Sequence, residues 1–126
     1  MTYTSITHVG NDHSFWRKGL EFYAEEIEMM RARLEEIASK NTSFEARQGI
    51  EHFENQFIVQ RNNIDELRHE INLYVQQLGE DSQQHAGHIE TGLVKEHDVL
   101  QAKYEDFEKI MNGIRHEFKD YLSKWM

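Results

Sequence analysis

The amino-acid sequence predicts an all-α protein, an antiparallel up-down-up three-helix bundle of long helices. Three observations predict it. The chain has no proline and only seven glycines in 126 residues, so it is short of turn chemistry and reads as helix nearly throughout. Its apolar residues recur at alternating spacings of three and four, the period of an amphipathic helix. Helix punctuation gathers at three places only, near residue 12, residues 40–42 and residues 79–82. A chain of this length holds one hydrophobic core, not two.

Residues 1–12 are expected to be an extended N-terminal segment, and residues 13–126 a single bundle domain. Asp12 is the expected N-cap of the first helix. The stripe of that helix is Trp16, Leu20, Tyr23, Ile27, Met30, Leu34 and Ile37. Lys40 and Asn41 mark its stop, and Thr42 with Glu45 three residues later reads as the capping box that opens the second helix. The second stripe is Ile50, Phe53, Phe57, Ile64, Leu67, Ile71, Tyr74 and Leu78. Gly79 is expected to end that helix in the left-handed conformation, with Asp81 or Ser82 capping the third. Gly87 and Gly92 weaken the start of the third helix, so regular structure is expected near Leu93. From there Leu100, Tyr104, Phe107, Met111, Ile114, Phe118, Tyr121 and Trp125 complete the third stripe.

Short connections make neighbouring helices antiparallel. Residue numbers at equal height then total roughly 84 across the first turn and roughly 164 across the second, each to within about one helical turn. On that register Met30, Phe53 and Met111 share a layer, as do Ile27, Phe57 and Phe107. Tyr23, Gln60 and Tyr104 fall together as a buried polar layer, an inward amide beside two phenols. Such a layer penalises misaligned packing and so locks the register.

Charge and composition bound the function. Asp and Glu number 23 against 14 Lys and Arg, a formal charge of −9, which argues against nucleic acid or an anionic membrane as partner. The absence of cysteine excludes disulfides, thiolate zinc sites, iron–sulfur clusters and cysteine nucleophiles. The sequence carries no glycine-rich phosphate loop and no nucleophile elbow. With no basic-then-apolar leader and no apolar run near the length of a membrane span, a cytoplasmic location is expected.

Two histidine constellations are candidate metal ligands. His13 and His97 take inward stripe positions about one turn apart in height, with Glu70 at a similar level; two imidazoles and a carboxylate suit a divalent transition metal such as iron, zinc or manganese. His85 and His88 share a face if their segment is helical. Against these stands the simpler reading, in which a stripe-end histidine bonds Glu70 or a backbone carbonyl. A ferritin-like site needs Glu-x-x-His on two helices, and the chain has one, Glu66 to His69, which points outward. The hemerythrin-like spacing His116 to Asp120 also lies on the outer face.

A further signal is surplus apolar face. Phe15, Phe22 and Met29 recur every seven residues off the core stripe of the first helix, and Ile58, Val59 and Leu73 lie off that of the second. Side chains of this kind mark a contact surface, most simply with a second copy of the chain or another helical protein. The alternative is that the flanks of the third helix, with Ile110 and Leu122, cover them within one chain.

The segments from His52 to Phe57, from Asp65 to Glu70 and from Arg115 to Phe118, with the ending Lys124-Trp125-Met126, resemble small bacterial all-helical proteins without an assigned activity. The resemblance carries no catalytic residues across and implies a bacterial cytoplasmic origin. The function class favoured by the residues is a non-catalytic interaction or scaffolding bundle, expected as a homodimer, with a metal-binding bundle as the competing class.

Overall fold

The computed structural model describes the backbone of residues 3–84 and 88–126, and the side chains of residues 12–80 and 92–126. Three helices make an up-down-up bundle: α1 (Ile6–Lys40), α2 (Phe44–Gln84) and α3 (Thr91–Trp125). Two short strands, β1 (Tyr3–Ser5) and β2 (His88–Glu90), pair antiparallel with Tyr3 opposite Glu90 and Ser5 opposite His88. This ribbon, which the sequence pattern does not announce, ties the start of α1 to the connection between α2 and α3.

Helix α1 therefore begins at Ile6, where the ribbon ends, and not at residue 13. Asp12 lies inside the helix and is no N-cap; its carboxylate is engaged across the bundle by His97. At the first reversal the cap is Ser43, one residue later than Thr42. Its Oγ accepts from the Ala46 N–H at 3.2 Å, satisfying one of the orphan donors of the first turn. Asn41 fastens this end, its amide donating to the carbonyls of Ile37 (3.1 Å) and Trp125 (3.2 Å). Glu45 does not close a capping box but pairs with Lys124.

The second reversal departs further from expectation. Helix α2 runs through Gly79 to Gln84. Leu78 is buried in the core, and that burial outweighs the roughly 1 kcal/mol a helical glycine costs. Moving the reversal shifts α3 along α2, so that equal heights total about 170. Phe53 consequently meets Phe118, ring centroids 5.1 Å apart, in place of the expected Met111. A slide of about seven residues returns a helix to the same face, which is why both registers stack apolar on apolar.

The core is continuous. The stripes expected from the sequence supply nearly all of it, from Trp16 to Leu34 on α1, Phe53 to Leu78 on α2 and Leu100 to Phe118 on α3. No helix among the described residues is long and apolar enough to cross a membrane.

Candidate functional site

Helices α1 and α3 run parallel, and a ladder of polar contacts at one sequence separation, 85 residues, joins them. His97 donates from Nε2 to Asp12 Oδ2 at 2.8 Å, Trp16 Nε1 donates to Gln101 Oε1 at 2.7 Å, and the Tyr23 hydroxyl donates to Glu108 Oε2 at 3.0 Å. Gln101 in turn donates to Glu105 at 2.7 Å. One turn further, Arg115 grips Glu26 with Nε and Nη2, both at 2.8 Å. The bidentate geometry holds the guanidinium charged and raises its affinity for the proton.

The lowest rungs border an aromatic cluster. The His13 ring lies 5.0 Å from Trp16, 5.0 Å edge-on to Tyr74 and 5.9 Å from His97. The Tyr74 hydroxyl donates to the Leu93 carbonyl. His13 is 2% exposed, and its Nε2 has no hydrogen-bond partner among the described residues. Burial first, then the neighbouring His97 and Arg17, lower its pKa to about 4, so the ring is neutral at pH 7. A buried, unpaired imidazole nitrogen costs about 1–3 kcal/mol and offers either a lone pair or an unused proton.

The expected trio of His13, Glu70 and His97 is only partly assembled. The two histidines adjoin, but Glu70 turns into the groove between α2 and α3, where it pairs with Lys103 at 3.1 Å. The carboxylate beside the histidines is Asp12, which the sequence pattern conceals because a polar residue at the start of a periodic stretch has the chemistry of a cap. Among the described residues no group of three or more His, Cys, Asp or Glu side chains is arranged to hold a metal ion. His85 lies outside the described residues. His88 is in β2 and not in a helix, so the shared helical face expected for that pair does not form at His88; its side chain also lies outside the described residues. Glu66, His69, His116 and Asp120 are exposed.

Tyr23, Gln60 and Tyr104 are all buried, yet they are not one bonded layer. The shifted register sets Tyr23 level with Glu108 and Tyr104 level with Gly19. Gln60 instead accepts from Asn63 of its own helix at 3.2 Å. Burial and the Glu108 carboxylate raise the pKa of both phenols, keeping them protonated donors.

The apolar side chains off the stripes remain uncovered. Phe15, Phe22 and Met29 are 63%, 55% and 70% exposed. They edge the α1/α3 face, where Phe15 touches the Tyr104 ring at 6.1 Å and Phe22 the Tyr23 ring at 5.2 Å. Ile110, expected to help cover them, is itself exposed and lines the other side of α3. The α2 residues do not extend this surface. Leu73 lines the α2/α3 groove, and Val59, fourteen positions earlier, shares its stripe. Ile58 lies one position off that stripe, on the side where Asn72 accepts from Arg17 of α1.

The molecule is thus defined as an all-α bundle with two separate apolar surfaces and a buried histidine cluster at the ribbon end. The chain matches no protein-family model, no curated protein and no solved structure among those compared.

Proposed function

We propose that the protein is a non-catalytic helical-bundle scaffold that self-associates through α1. The observation carrying this reading is the heptad of Phe15, Phe22 and Met29, more than half exposed on a helix whose core stripe is already satisfied. Two copies meet antiparallel, about a two-fold axis at Phe22. Each Phe22 packs on its counterpart and each Phe15 on the other copy's Met29. Charge supports this arrangement, because it brings Lys18 of each copy toward Glu25 of the other. Beside Met29, a groove of about 260 Å³ lined by Met30, Phe118 and Leu122 gives the incoming Phe15 ring somewhere to go.

Light scattering of wild type and Phe22→Glu tests the reading. Wild type is expected as a dimer, and the variant as a monomer of unchanged helicity. A wild type that stays monomeric at high micromolar concentration, or a variant that still dimerises, removes it.

A second reading rests on one observation, the unpaired Nε2 of His13 beside His97 and Asp12. On it Asp12 gives up its bond to His97 and takes the place of Glu70, so that the three side chains rearrange from the arrangement described to hold a divalent transition metal. Elemental analysis of protein purified without an affinity tag distinguishes it: near one equivalent of iron, zinc or manganese supports the site, and trace metal discards it.

A further inference from the structure

The opposite side of α3 carries a second surface of different chemistry. Two contiguous depressions of about 250 and 280 Å³ run along the α2/α3 groove and share Glu70 and Lys103, whose ion pair bars the middle. The floor is buried core, including Leu67, Leu100 and Phe107. Large apolar side chains stand exposed along the rims, Leu73 on α2 and Val99 and Ile110 on α3. From Asn63 to Gln77 the two depressions follow fourteen residues of α2, about 21 Å, the length of four turns laid alongside.

We propose that this groove binds an amphipathic helix of a partner protein, basic along the edges of its apolar face. Charge selects the occupant. The lining holds four carboxylates, Glu66, Glu70, Glu96 and Asp106, against one ammonium, Lys103, which is already committed to Glu70. A second copy of this chain, at −9, would bring acid to an acidic rim, whereas lysines flanking an apolar stripe match it. Helix shape is set by the groove's straight course between two helix axes, which a third helix can follow with apolar residues at i, i+3 or i+4, and i+7. This site does not depend on self-association. The two faces lie on opposite sides of α3, so a dimer would present two grooves and join two partner helices.

The test uses the full chain and a synthetic amphipathic peptide of about 18 residues, leucine on its apolar face and lysine at the flanks, followed by fluorescence anisotropy. Saturable one-to-one binding is expected. Ile110→Lys and the exposed charge reversal Asp106→Lys should each weaken it about tenfold or more, with helicity held, and a peptide with glutamate flanks should bind about tenfold or more weaker than the lysine one. Phe22→Glu should bind the lysine peptide as wild type does, which separates this site from the α1 face. Absence of saturable binding, equal affinity for lysine and glutamate peptides, insensitivity to Ile110→Lys, or loss of binding in Phe22→Glu overturns the proposal.

Discussion

The phenol of Tyr104 lies directly over the α1 backbone at Gly19, so closely that a Cβ on residue 19 would overlap the hydroxyl oxygen. Tyr104 is 2% exposed, so moving its ring aside would disturb the packing of the core around it. Gly19→Ala should therefore destabilise the bundle by about 1–3 kcal/mol, read as a lowered midpoint in chemical denaturation. Gly113 has nothing within 4 Å of its Cβ position, and Gly113→Ala should stabilise by roughly 0.5–1 kcal/mol through helix propensity and a less free unfolded chain. If both substitutions act alike, the close approach of Tyr104 does not govern packing at Gly19.

The proposed antiparallel α1 contact predicts a charge-swap pattern. Lys18→Glu sets acid toward Glu25 of the second copy and should weaken dimerisation. Adding Glu25→Lys should restore it, with the dissociation constant followed by analytical ultracentrifugation. Both side chains are exposed, so neither change disturbs the fold of one chain. A double variant no better than the single one would require a different pairing of the helices.

His13 couples stability to pH. Unfolded, its ring takes up a proton near the ordinary imidazole value of 6.5; folded, only near 4. Between these values the unfolded chain binds more protons, so the stability from the neutral ring is complete above pH 6.5 and is lost as pH falls toward 4. The loss amounts to at most about 3 kcal/mol. His13→Leu should flatten that part of the pH profile and hold or raise the melting temperature at about pH 7.5, because the unpaired nitrogen is gone. Melting curves for both proteins at neutral, weakly acidic and more acidic pH check this, and parallel acid slopes would refute it.

Gln60 is buried, and among the described residues its carbonyl accepts a hydrogen bond from Asn63 alone. Gln60→Leu should therefore keep or raise the melting temperature while removing a desolvated amide from the core. A large drop would mean that the amide takes part in a wider network.

Membership of the core is legible directly in the pattern. Trp16, Phe57, Ile64, Tyr104 and Met111 are buried as their stripe positions require, because helical periodicity alone assigns a side chain to a face. The inward placement of His13 and His97 is legible for the same reason. Asp12 is not, since a polar residue at the first periodic position has a cap's chemistry until a strand pair carries the helix start back to Ile6.

The sequence by itself determined three amphipathic helices, their up-down-up order and the apolar residues left over after the core is built. Only the tertiary structure decided how far α3 slides along its neighbours, and with it that Tyr23 meets Glu108, Phe53 meets Phe118 and Glu70 meets Lys103. The physical reason is that a stripe repeating every seven residues packs equally well after a slide of seven, so apolar burial cannot choose the register. Helix α2 continuing past Gly79, the β ribbon, and the polar ladder between α1 and α3 choose it, through backbone pairing and hydrogen-bond geometry that depend on position and not on hydrophobicity.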